Sequence, residues 1–131
     1  MSVIENVLAV GLQAGLSLTA TSLTYTSIAD SENPIDLMGT QGKKLFKIQE
    51  PGNPIIVVES VDFLIFVSDL VLDGILIKPQ RNDEIARIRG TKKLIYKVLP
   101  MGREIPFFEY SDTGQTVFRI HTKAFREEDV V

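Results

Sequence analysis

Apolar residues follow two different periods along the chain. Over the first stretch Ile4, Val7 or Leu8, Leu12 and Leu16 recur every three to four residues, which predicts a helix over residues 1–18 with one apolar face. Ser2 and Glu5 have the spacing of a capping box, each side chain satisfying a backbone N–H of the first turn. Gly11 and Gly15 each weaken that helix by about 1 kcal/mol relative to alanine. It therefore needs a surface to pack on, the open end of a barrel or a neighbouring subunit. From Thr19 the period falls to two. Leu23 and Tyr25 share one side of an extended segment, and Asp30-Ser31-Glu32-Asn33-Pro34 is a turn cluster. Ile35 to Met38 reads as a return strand broken by Gly39-Thr40-Gln41-Gly42. Leu45 to Ile48 resumes it before Pro51-Gly52-Asn53-Pro54, the strongest punctuation in the chain.

Ile55 to Val67 is the most informative run. Its odd positions, Ile55, Val57, Val61, Phe63, Ile65 and Val67, predict a core face interrupted at Glu59. Its even positions, Ile56, Val58, Ser60, Asp62, Leu64 and Phe66, are apolar at both ends and polar in the middle. A strand facing water has no need of Leu64 and Phe66, so either a second layer of the same domain or a partner covers that face.

The remainder is rich in turns. Asp73-Gly74 sits between Leu72 and Ile75, and Gly90-Thr91 separates strands at Ile85–Arg89 and Lys93–Leu99. Pro100 to Pro106 is a loop, and Asp112-Thr113-Gly114 joins Phe107–Tyr110 to a last strand over Thr116–Phe125. In that strand Phe118 and Ile120 point one way, and Arg119, His121 and Lys123 the other. Residues 126–131 read as a charged, frayed tail. The expected fold is mainly β: one domain over residues 1–131, a small barrel or sandwich of six to eight short strands behind an N-terminal helix.

Composition narrows the function. In 131 residues, 44% hydrophobic and 24% charged residues are values of a globular chain. A mean hydropathy of +0.13 is high for a chain with so much surface and hints that a second chain covers part of it. The net charge of −3 lacks the basic excess of a stand-alone nucleic-acid binder. Without cysteine there is no disulfide, thiolate nucleophile or sulfur-ligated metal. No run reaches the roughly 20 apolar residues of a membrane span, and no basic segment marks an export signal at the start. No membrane partner is expected.

Candidate chemistry is sparse. His121 is the single histidine, and no Gly-x-Ser-x-Gly elbow offers it a serine. Between Arg119 and Lys123 it reads as a surface or interface histidine. One histidine and no cysteine cannot fill a zinc site. Carboxylates at Asp62, Asp69, Asp73, Asp83, Glu84 and Asp112 are scattered, several of them in turn signals. No catalytic residue, cofactor or metal ligand is assigned. Arg119-x-His121-x-Lys123 and Lys92-Lys93, near Phe107, Phe108, Tyr110 and Phe118, are the best candidates for a single-strand-binding face, and solvated charge over core aromatics explains them equally well.

The runs Asp62-Phe63-Leu64-Ile65, Asp69-Leu70-Val71-Leu72-Asp73-Gly74 and Pro79-Gln80-Arg81-Asn82-Asp83-Glu84-Ile85 resemble phage and prophage head-tail joining proteins. Tyr96-Lys97-Val98-Leu99-Pro100, Tyr110-Ser111-Asp112 and Arg119-Ile120-His121-Thr122-Lys123 extend the resemblance over most of the chain beyond Tyr25. Asn82-Asp83 stands where family members commonly have Gly-Asp, a mild departure because asparagine also tolerates a left-handed conformation. The resemblance implies a small β-barrel with a helical element and a ring-shaped oligomer in the virion neck. The ring would lie between the portal or its adaptor and the tail, in some relatives closing the channel after DNA packaging. It implies no catalytic residues, assembly in the bacterial host cytoplasm, and DNA passing nearby without sequence-specific binding.

A ring needs two different patches on each subunit. The expected subunit-interface residues are Ile56, Val58, Leu64 and Phe66, together with the N-terminal helix. Two loops, residues 30–44 and 100–106, are expected to meet neighbouring rings or the channel through Asn33, Met38, Lys43, Lys44, Met101 and Arg103. The rival readings are a tail terminator or tail-completion protein, a barrel-type nucleic-acid-binding module and a small enzyme.

Overall fold

The computed structural model describes residues 20–102 and 105–130, so the helix expected over residues 1–18 lies outside the described residues. The chain is mainly β. Its strands are β1 (Thr21–Thr26), β2 (Ile35–Ile48), β3 (Ile56–Phe66), β4 (Val71–Leu72), β5 (Ile75–Leu76), β6 (Glu84–Arg89), β7 (Lys92–Val98), β8 (Phe108–Tyr110) and β9 (Val117–Asp129), with a 3-10 turn at Val67–Asp69. The expected turns hold where local chemistry dictates them. Asp73 and Gly74 both take positive φ, 53° and 78°, as the tight turn between β4 and β5 requires. Asn82 is left-handed at φ 74°.

Neighbouring strands pair antiparallel: β1 with β2 and β6, β2 with β3, β6 with β7, and β7 and β8 with β9. β3 also pairs with β9, so the sheet curls back on itself along the circuit β1–β2–β3–β9–β7–β6. That closure is short. It joins only Val61–Phe66 to Val117–Thr122. Beyond it β3 keeps β2 alone and β9 keeps β7 alone, so two ribbons diverge past the rim of the body.

The inward residues of the body form one core. Leu23 and Tyr25 of β1, Leu37 of β2, Phe63 and Ile65 of β3, Ile85 of β6, Tyr96 and Val98 of β7, and Phe118 and Ile120 of β9 are all buried together with Leu70. Each such side chain contributes roughly 1.5–3 kcal/mol of burial. Phe63 meets Tyr96 edge-on at 5.1 Å between ring centroids.

Four sequence expectations are corrected. First, Gly39 to Gly42 do not break the chain; β2 is one continuous strand of 14 residues. Gly39 instead lies where β2 passes from β1 to β3. A Cβ there would stand 2.7 Å from Leu23 Cδ1 and 2.9 Å from the Leu64 carbonyl oxygen, so the glycine permits close approach. Second, residues 126–129 belong to β9 and pair with Lys92–Ile95; the hydrogen bond of Lys92 to the Asp129 carboxylate ties down the end that read as frayed. Third, on the odd face Phe63 and Ile65 are core but Ile55 and Val57 are exposed, because that end of β3 has left the body. Fourth, the strands are not six to eight short ones: nine lie among the described residues, and β2, β3 and β9 run 14, 11 and 13 residues. On the even face of β3 the polar middle, Ser60 and Asp62, is buried.

Candidate assembly surface

The divergent half of the β2–β3 hairpin is an arm whose two faces follow from its register. Phe46 opposes Val58 and Ile48 opposes Ile56 on one face. Leu45 opposes Glu59 and Lys47 opposes Val57 on the other. The first face leans on the body: Phe46 sits edge-on to the His121 ring at 5.1 Å, and Lys44 Nζ donates to Glu109 Oε1 at 2.8 Å. The second face is open, with Leu45 64% and Val57 57% exposed. Lys43 and Glu59 pair across it at 3.5 Å. Of the eleven large apolar side chains exposed among the described residues, four (Leu45, Ile55, Ile56 and Val57) lie at this divergent end of the hairpin, so the apolar surface is concentrated and not scattered.

A buried polar network anchors the arm. Asp62 on β3 accepts from the Ser60 hydroxyl and from Arg119 Nε, and His121 Nδ1 lies 2.9 Å from its Oδ1. Arg119 also donates to the Lys43 carbonyl at 3.3 Å, tying β9 to the base of the arm. Burial alone would raise the Asp62 carboxyl. The hydrogen bonds from His121 and Ser60, the His121 charge and the Arg119 bond outweigh it and hold the group below the ordinary carboxylate range. His121 Nε2 stands 3.8 Å from Glu109 Oε1.

His121 is therefore not the surface histidine its neighbours suggested; it is 1% exposed, because Asp62 and Phe46 close over it. Ser60, His121 and Asp62 are the residue types of a hydrolytic triad, but Ser60 donates to Asp62 and not to His121. The connection is that of a structural clamp. The basic candidates are also largely engaged: Arg119 with Asp62, and Lys92 with Asp129.

The remaining expected residues are dispersed. Ile56 is exposed on the arm, while Val58, Leu64 and Phe66 are half-buried and outside the core cluster. Asn33 is exposed in the β1–β2 turn, with its amide on the Asp30 carboxylate. Met38, Lys43 and Lys44 lie on β2 and not in a loop, with Met38 exposed near its start. Met101 is buried in the subunit, at 4% exposure. Arg103 lies outside the described residues.

Sequence reading missed a turn held by a buried carboxylate. Asp83 is fully buried and accepts from the Tyr25 hydroxyl, from Ile28 N at 2.9 Å and from Gln80 N at 2.8 Å. Burial, with the charge and hydrogen bond of Asp83, pushes the Tyr25 hydroxyl far above its ordinary value. This carboxylate fixes the end of β1 and so aims the acidic β1–β2 turn. Leu45 and Val57 were also missed as surface residues. The available signal was Ile55-Ile56-Val57-Val58, four apolar residues of both parities at a hairpin end.

Among the described residues no helix is long and apolar enough to cross a membrane. A family model described as phage head-tail joining protein matches residues 1–129 of the chain. No curated protein matches it.

Proposed function

Because the chain belongs to the phage head-tail joining family, we propose that it is a structural component of the virion neck, assembling as a ring between the portal or its adaptor and the tail. The family match over residues 1–129 carries this reading. The concentration of exposed apolar residues on a hairpin anchored by the Asp62 network supports it, since an assembly protein works through its exposed apolar surfaces. The partly closed six-strand circuit serves as the barrel body from which the arm projects.

Ile56 and Val58 belong to the arm surface of this proposal, and Leu64 and Phe66 to its continuation on the body. The turn at Asn33, with Met38, Lys43 and Lys44 along β2, gives the remaining contacts to neighbouring copies or rings. DNA passes through the ring without sequence-specific contact, and the ring closes the channel once the head is filled. The whole assembly forms in the host cytoplasm.

The test is genetic and structural together. A phage lacking this gene should accumulate DNA-filled or leaking heads and free tails, and supplying the protein in trans should restore joined particles. Joined, infectious particles in its absence would overturn the reading. Heads joined to incomplete tails would favour a tail-completion role.

A further inference from the structure

The ends of β2 carry opposite charge. Around its start the segment from Ile28 to Met38 carries Asp30, Glu32 and Asp36 and no basic residue, and the apolar side chains of Ile28 and Met38 at its two ends are exposed. At its far end Lys43 and Lys47 flank Leu45 on the open face, with exposed Val57 beside them on β3; Glu59, opposite Leu45, pairs with Lys43, and Lys44 lies on the other face against Glu109. Each end pairs an apolar centre with charge at its edge, the usual anatomy of a protein contact. The two ends cannot meet within one molecule. From Asp36 to Lys47 a strand rises roughly 35 Å at about 3.3 Å per residue, and a strand does not fold back on itself. The complement of each end is present on a second copy of the chain.

We infer that the arm of one subunit, through Lys43, Leu45, Lys47 and Val57, docks on the acidic β1–β2 end of the next, through Ile28, Glu32, Asp36 and Met38. Such a contact is heterologous: each copy offers one donor and one acceptor end, so the contact propagates until rotation closes it. This deepens the neck reading and rests on it for the closed ring. The occupant is a second copy because complementary charge and apolar surface lie at opposite ends of the same chain.

The test uses the purified full chain in sedimentation velocity over a concentration series, at low salt and at roughly 0.5 M salt, where exposed charges are screened. Wild type should associate, more strongly at low salt. The arm variant Lys43→Glu/Lys47→Glu and the turn variant Glu32→Lys/Asp36→Lys should each associate at least roughly tenfold more weakly. Mixed in equal amounts they should regain association, since the acidic arm of one then faces the basic turn of the other. Circular dichroism and melting establish that each variant folds. Should one fail, Lys47→Gln and Glu32→Gln replace the reversals, each weakening association with no rescue on mixing.

Wild type that stays monomeric, single-sided variants that associate like wild type, or a mixture of the two reversals that stays monomeric would each overturn the inference. The neck reading fails differently, through joined particles in the absence of the gene. If wild type is monomeric yet both patches are required for joined particles, another neck protein occupies them, and the inference falls while the neck reading stands.

Discussion

A carboxylate can be buried only where hydrogen-bond donors replace its water, and Asp62 and Asp83 meet that condition by different means. Asp83 collects one hydroxyl and two backbone N–H groups. Removing it leaves those donors unsatisfied, so Asp83→Ala should cost about 3 kcal/mol or more, whereas Tyr25→Phe, which spares both backbone bonds, should cost about 1–2 kcal/mol. Thermal melting of the two variants checks the order. Asp62 gathers side chains only. Its carboxyl is depressed in the folded state, so its contribution is complete above the unfolded value of 3.8 and is lost as pH falls through the folded value. Asp62→Asn should therefore lower stability at neutral pH and flatten its fall below about pH 4. Urea unfolding across that range measures it, and a parallel curve in the variant would assign the acid limb to other carboxylates. Neither network was legible in the sequence. Tyr25 and Asp83, or Asp62 and His121, are far apart along the chain, and no local pattern records which strands will bring them together.

At the scale of elements, local chemistry was legible and long-range pairing was not. The Asp73-Gly74 and Asp112-Thr113-Gly114 turns followed from residues that favour left-handed or side-chain-capped geometry, and Asp112 does accept from the Thr116 and Val117 N–H groups. The alternation that placed Phe63, Ile65, Phe118 and Ile120 in the core also held. Gly39-Thr40-Gln41-Gly42 misled because a glycine that admits a neighbouring strand carries the same letter as one that ends a strand. Gly39→Val should be strongly destabilising, since its Cβ would fall 2.9 Å from the Leu64 carbonyl oxygen. Gly42→Val, with open space around it, should shift the melting temperature little. The arm was half legible: its strands were predicted, but its departure from the body depends on β3–β9 pairing stopping at Val61 and Thr122.

At the scale of the molecule, stability and assembly are assigned to different parts. The core and the two carboxylate networks hold the body, whereas Leu45 and Val57 contribute little to the fold because they are exposed in the subunit. Surface substitutions of this kind usually change stability by no more than about 0.5 kcal/mol, while burying each residue in a contact is worth roughly 1.5–3 kcal/mol. The central claim, that the protein joins head to tail through this arm, is tested most directly by complementing a gene-deleted phage with Leu45→Asp/Val57→Asp and counting joined particles by electron microscopy. The account predicts a variant that melts like the wild type and leaves heads and tails separate. A folded variant that yields joined, infectious particles at the wild-type level would contradict it.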